Sequence, residues 1–201
     1  LLESDPSIEQ IVRDDILAAM ADKIESVGIH GGSGAEPSGI VATAGIGSVA
    51  GGTNGLAPAW ATHIPTLVKE VEIDNAALNA STLGWLTNPK VKSKLATVPK
   101  VASTDSVMIL NEPWNQLYGY PLAITTNVSS TLTKGNQSAS SALIFGDFSQ
   151  VILGMWNTPD VLIDPYTNGA KGTIRIIVLQ EVDIAIRHAQ SFSACLDVLT
   201  A

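Results

Sequence analysis

One long amphipathic segment constrains this chain more than any other feature: "SIEQIVRDDILAAMADKIESV", residues 7–27. Ile8, Ile11, Val12, Ile16, Ala19, Met20, Ile24 and Val27 recur at three-and-four spacing, which places them on one face of an α-helix. Asp5 or Ser7 can cap its start, Pro6 suits the first helical position, and Ser7 with Gln10 has the spacing of a capping box. Gly28 is expected to end the helix in a left-handed conformation. Such a rod is about 30 Å long. Its polar face is mostly acidic. Arg13 can pair with Glu9, a contact that contributes only a few tenths of a kcal/mol. Asp14 and Asp15 point about 100° apart and read as solvated charges.

The helix runs into "GIHGGSGAEPSGI", Gly28 to Ile40. Three chemistries use such glycines. A serine hydrolase would build an oxyanion hole from His30, Gly31 and Gly32 beside Ser33, but needs a G-x-S-x-G elbow, and no serine of the chain has that flanking. A phosphate loop needs a lysine after its last glycine and a helix behind it. Here Ala35 follows Gly34, Ile40 follows Gly39, and the helix lies in front. A dinucleotide fingerprint fails because Gly45-x-Gly47 lacks its third glycine. The remaining reading is a turn, with Pro37 stiffening the exit.

Beyond the turn, "IVATAGIGSVAGGTNGLAP" (40–58) reads as loop or weak strand. Trp60, Ile64, Leu67, Val68 and Val71 return to helical spacing, with Pro65 expected to kink or restart the helix. "STLGWLTN" (81–88) reads as a buried strand and "PKVKSKLATV" as a short helix opened by Pro89. "VMIL", "YPLAITT", "SALIFGD" and "SQVILGMW" are apolar runs of strand length. Toward the end, Ile174, Ile176 and Val178, then Val182, Ile184 and Ile186, alternate with their neighbours as strands do. Helices and strands do not alternate regularly enough for a doubly wound sheet, so the class is α+β.

Composition excludes several partners. The formal net charge is −8 with 11 basic residues, of which only Lys90, Lys92 and Lys94 cluster, so nucleic-acid binding is not expected. No run approaches the roughly 20 apolar residues of a membrane span. The mean hydropathy of +0.25 hints at apolar surface covered by partners. Cys195 is the single cysteine, which suits a reducing compartment. No signal peptide is visible and the first residue is Leu, so Leu1 is expected to be a processing site or an expression boundary. Without a secretory signal the sequons at Asn79, Asn127 and Asn136 carry no weight.

No metal or catalytic constellation is expected. His30, His63 and His188 are far apart, there is no H-x-x-x-H or C-x-x-C, and Cys195 meets His188 only if tertiary structure brings them together. No cofactor is implied. Trp60, Trp85, Trp114 and Trp156 are expected mainly in the core, with subunit contact as the alternative.

Five segments in order carry a family resemblance. The helix leads into Glu25, Gly31, Gly34, Pro37, Gly39 and Ile40. Downstream lie "GWLTNPKVKSKL" with Trp85, Asn88 and Pro89, then "GYPL" (Gly119 to Leu122), then "ALIFGDFSQ" with Gly146, Asp147 and Phe148, and finally "VLQEVDIAIRHAQSFSACL" with Asp183 and Phe192. Together they resemble the major capsid protein family of tailed bacteriophages and prophages. Glu25 stands where the family usually has Asp.

The resemblance implies the phage major-capsid fold, with a long spine helix, a peripheral domain at 1–40 and 172–201, and an axial domain at 41–171. It implies a non-enzymatic structural subunit of an icosahedral shell, found in the virion and, during assembly, in the host bacterial cytoplasm. Its partners would be copies of itself in pentamers and hexamers around packaged DNA. No specific nucleic-acid, membrane or small-molecule partner is implied. An encapsulin-like protein compartment is the related alternative, and a serine hydrolase using the His30–Ser33 loop is the alternative from another class. The family's N-terminal arm and extended loop precede the spine helix. A chain starting at that helix is therefore expected to be monomeric or to form single capsomer rings.

Overall fold

The long segment is a helix. In the computed structural model, which describes residues 6–76, 81–103, 105–111, 113–164, 166–172 and 175–200, α1 spans Pro6–His30. Pro6 takes the first position as expected. Gln10 donates to Asp14 at 2.7 Å, the next turn of the same helix, rather than reaching back to the start. Asp5 lies outside the described residues, as do Leu1, Asn79 and Ile174. The apolar stripe is narrower than its spacing suggests. Val12, Ile16, Met20 and Ile24 are half-buried and Val27 is buried, whereas Ile11 and Ala19 face solvent.

Gly28 does not stop α1, which continues to His30. The stop comes from the chain doubling back. Gly31 N–H bonds the Val27 carbonyl at 2.7 Å, Ile40 N–H the Gly28 carbonyl at 2.9 Å, and Val41 N–H the Ile29 carbonyl at 3.0 Å. The last carbonyls of the helix are thus satisfied by returning backbone. That approach explains two glycines. A Cβ on Gly31 would sit 2.4 Å from the Pro37 carbonyl oxygen, and one on Gly39 would sit 2.5 Å from the Val27 carbonyl oxygen.

The weak strand is real: β1, Gly47–Ser48. Helix α2, Trp60–Ile73, runs unbroken through Pro65. Proline cannot bond the carbonyl of Ala61, and the Thr66 hydroxyl donates to that oxygen instead, at 3.3 Å. Strand β2, Leu83–Thr87, hands over to α3, Pro89–Leu95. Asn88 caps α3, its side chain accepting from Val91 N–H at 2.9 Å. "VMIL" is not a strand. Met108 makes an isolated bridge to Pro99, while Ile109 and Leu110 plug the core. Then follow β3 (Gln116–Leu117), β4 (Tyr120–Ile124), β5 (Leu132–Lys134), β6 (Gln137–Asp147), β7 (Val151–Asp164), β8 (Arg175–Ile186) and β9 (Phe192–Leu199).

Seven strands form one mixed sheet, ordered β1-β9-β6-β2-β4-β3, with β5 also on β6. Among the described residues, strands β7 and β8 pair only with each other. β6 is apolar from Ala142 to Gly146 because both faces of the sheet are covered. On one face Leu143 and Phe145 pack with Trp85, Ile64, Leu67 and Val71 beneath α2. On the other, Ala142 and Ile144 pack with Ile29, Ile40 and Phe192 near the end of α1. Trp85 stacks on Phe145 at 4.6 Å and donates to the Leu117 carbonyl at 2.8 Å.

Hydrogen bonding groups β9 with this sheet, whereas the sequence division sets residues 172–201 with the long helix. β9 is buried on both faces from Phe192 to Cys195, and its composition does not say which strand it pairs with. The ribbon is what accompanies α1: Gly28 lies against Ile184, a Cβ there standing 3.6 Å from its Cδ1. The class is α+β, as the irregular order of elements implies.

The turn yields a test. Gly39→Ala forces a methyl group into backbone and is expected to destabilise by about 3 kcal/mol, the upper end of overpacking effects. Ser33→Ala, at an exposed position of the same loop, is expected to change stability by less than about 0.5 kcal/mol. Urea midpoints of the two variants check this.

Candidate assembly interface

His30 Nε2 accepts the Ser129 backbone N–H at 2.9 Å, so the ring nitrogen facing the chain is occupied. Ser33 is exposed in the loop beyond. Nearby, the Asn127 amide donates to Asp22 at 2.8 Å and to Glu25 at 2.9 Å. His30, Asp22 and Glu25 of α1 are therefore fastened to the β4–β5 connection. Glu25, singled out by resemblance, has this bridging role. Lys23 pairs with Glu36 at 2.9 Å across the turn, an exposed contact worth little.

The other singled-out residues hold turns and corners. Gly119 is left-handed, at φ 81°, just before β4. Asp147 accepts from Ser149 N–H at 3.0 Å and caps the 3-10 turn between β6 and β7. Phe148 meets Phe192 edge-on at 5.5 Å. Asp183 accepts from the N–H of Ile184 at 2.8 Å. These contacts stay within the chain.

The surface left over is the ribbon. β7 and β8 pair from Val151↔Ile186 to Asp164↔Arg175, interrupted between Trp156 and Asp160. Residues 157–159 bulge there opposite Gln180, whose amide donates to the carbonyls of Trp156 at 2.9 Å and Asn157 at 3.3 Å. β8 alternates from Val178 onward, with Val178, Val182 and Ile184 turned inward and Leu179, Glu181 and Asp183 outward, whereas Ile176, Ile177 and Val178 are all half-buried. β7 is different, because apolar residues face solvent along most of its length. Trp156 is 53% exposed, Leu162 55% and Ile163 62%. Of the four tryptophans, Trp85 alone is fully buried. Trp60 is half-buried under Lys100, 4.2 Å away, while Trp114 and Trp156 are exposed.

The ribbon and α1 meet loosely. Two apolar clefts of about 330 and 260 Å³ share Ile24 and Ile184 in their walls. One extends along Met20, Val178 and Val182, the other along Ile40, Leu86 and Val151. A two-stranded ribbon is at best marginally stable alone, and a contiguous exposed apolar face marks a contact site. Among the described residues no helix is long and apolar enough to cross a membrane.

Sequence spacing missed one grouping. Cys195 lies not beside His188, which is exposed, but beside His63 and Asp197, all three buried. Burial pushes the Cys195 thiol up to about 12, so at neutral pH it is no nucleophile.

A long helix on an apolar ribbon, joined to a two-faced mixed sheet, is the α+β fold of phage capsids and encapsulins. The capsid of an empty GTA particle superposes with a TM-score of 0.70 at 20% identity, over 98% of this chain and 67% of that one. The holo-SrpI encapsulin complex of Synechococcus elongatus gives a TM-score of 0.57 at 16% identity, over 100% of this chain and 69% of that one. The chain belongs to the phage capsid family, whose family model matches residues 1–195. A curated relative, the major capsid protein of Halomonas phage phiHAP-1, is 25% identical over 188 residues, which are 93% of this chain and 28% of that protein. The chain thus spans little more than a quarter of that relative's length.

The His30 contact sets a pH dependence. Burial holds the His30 pKa below its ordinary 6.5, because the charged ring loses solvation. The unfolded chain then binds the proton more tightly than the folded one. This contribution to stability is complete above about pH 6.5, is lost as pH falls toward the lowered folded value, and levels off below it. His30→Gln keeps an acceptor for Ser129 and is expected to flatten this part of the profile of melting temperature against pH.

Proposed function

We propose that this chain is the shell-forming part of a structural subunit of an icosahedral phage or prophage capsid, assembling through copies of itself into pentamers and hexamers around packaged DNA. The family match across residues 1–195 carries the reading, and the exposed apolar ribbon supplies the physical means. Residues such as Trp156, Leu162 and Ile163 gain about 25 cal/mol for each Å² of apolar surface covered on association.

In this reading the subunit has two regions, and the strand pairing supports the division. The peripheral region is α1, its turn and the β7–β8 ribbon, and the axial region is the seven-stranded sheet with α2 and α3. This assigns β9 to the axial region and the ribbon to the peripheral one. The subunit is not an enzyme in this reading, with His30 spent on Ser129 and the Cys195 thiol protonated. The net charge of −8 disfavours direct contact with phosphates, so DNA is enclosed rather than gripped. The place of action is the virion shell, with assembly in the host cytoplasm. An encapsulin-like compartment is the second reading, favoured by the fold shared with the SrpI complex. Protein cargo rather than DNA inside assembled particles would select it.

Sedimentation velocity over a concentration series tests the ribbon. The wild-type chain is expected to self-associate as concentration rises. Trp156→Glu with Leu162→Glu is expected to remain monomeric with an unchanged circular dichroism spectrum. Equal association of both proteins would remove the ribbon from the interface. Ester hydrolysis abolished by Ser33→Ala would overturn the non-enzymatic reading.

A further inference from the structure

The shell reading makes no use of the grouping of His63, Cys195 and Asp197. Their ligand atoms lie within 4.8 Å of one another, and the three side chains are at most 3% exposed. His63 stands in the first turn of α2, where its Nδ1 lies 3.2 Å from the Ala59 carbonyl and 3.1 Å from the Ala59 N–H. Its Nε2 is buried with no hydrogen-bond partner. An orphaned buried ring nitrogen keeps its full desolvation penalty, so something is expected to use it. Cys195 and Asp197 are two residues apart on β9 and touch, Sγ donating to Oδ1 at 3.1 Å. The Asp197 carboxylate accepts the Gly51 N–H at 2.9 and 3.0 Å. These partners are neutral, and they leave a buried negative charge facing a bare nitrogen. Gly51 is also held close: a Cβ there would stand 3.2 Å from His63 Nε2.

We propose that His63 Nε2, Cys195 Sγ and an Asp197 carboxylate oxygen form a structural site for a divalent cation of borderline softness, zinc by its donor chemistry. One thiolate and one carboxylate balance the cation's two charges, and the imidazole adds a neutral nitrogen. Sulfur and nitrogen donors fit zinc, while calcium and magnesium take oxygen ligands. Ala59 holds the ring at Nδ1, through its N–H and its carbonyl, and so keeps Nε2 turned toward the carboxylate; ligation by Nε2 takes the tautomer in which Nδ1–H donates to the Ala59 carbonyl, and the Gly51 N–H orients the carboxylate. On binding, the cation replaces the thiol proton, which leaves to solvent. Water completes the tetrahedron. The site clips the start of α2 to the C-terminal strand, two elements far apart in sequence, and so couples metal binding to folding. It stands whether or not the shell reading does.

Cobalt titration of the chelator-stripped chain, followed by zinc-dependent melting, tests this. The wild-type chain is expected to take up about one cobalt ion with a thiolate-to-metal charge-transfer absorption, and to melt at higher temperature with zinc than without. Cys195→Ser is expected to lose the charge-transfer absorption, and His63→Gln to bind at least about tenfold more weakly. Should the variants fail to fold, the wild-type spectrum decides alone. Cobalt uptake without charge transfer, or identical melting with and without zinc, overturns the proposal.

Discussion

Strand β6 is the constraint on which the rest of the structure depends. It is covered on both faces and paired on both edges, with β2 on one side and β9 on the other. Phe145 commits one face to α2 and Trp85, and Ile144 commits the other to Phe192 and the end of α1. The approach to β9 is closest at Gly146, where a Cβ would sit 2.4 Å from the Phe192 ring. Any side chain there would push β9 away, and with it Ser193, whose hydroxyl donates to the Leu67 carbonyl of α2 at 2.8 Å. At its far end β6 stops at Asp147, which caps the turn that launches the ribbon. One strand therefore sets the sheet, the seating of α2, the docking of α1 and the point from which β7 departs.

The two halves of the molecule differ in how their apolar surface is satisfied. The sheet buries Trp85, Phe145, Leu67 and Leu143 completely within the chain. The ribbon buries far less. Ile184 is buried and Val151 and Ile186 pack toward Ile144 and Phe192, while most of its other apolar side chains line open clefts beside α1 or face solvent. Local opening is easiest where buried apolar contacts are few. In the proposed shell subunit, this division would leave the less buried surface free to meet neighbouring copies.

Much of this was legible in the sequence because local chemistry decided it. The spacing of Val12, Ile16, Met20 and Ile24 reads directly as a helix face, Asn88 and Pro89 read as the start of α3, and Val178, Val182 and Ile184 read as the inner side of a strand. What was not legible depends on distant partners. Gly28 carries a stop signal that the returning backbone at Ile40 and Val41 overrides. Pro65 carries a break signal that the Thr66 hydroxyl compensates. "VMIL" has the composition of a strand but pairs only briefly, through a single bridge from Met108 to Pro99. The pairing of β9 with β6, and the meeting of His63 with Cys195 and Asp197, follow from topology that spacing cannot express.

The central claim is that α1 and the β7–β8 ribbon form the surface through which copies of this chain meet. Amide hydrogen exchange on the free chain and on its assembled form measures this directly. In the free chain β6 and β9 are expected to exchange slowly and the ribbon fast. Assembly is expected to slow exchange in residues 151–164 and along α1 while leaving β6 unchanged. An unprotected ribbon in assembled particles, with new protection confined to the sheet edges, would contradict the account.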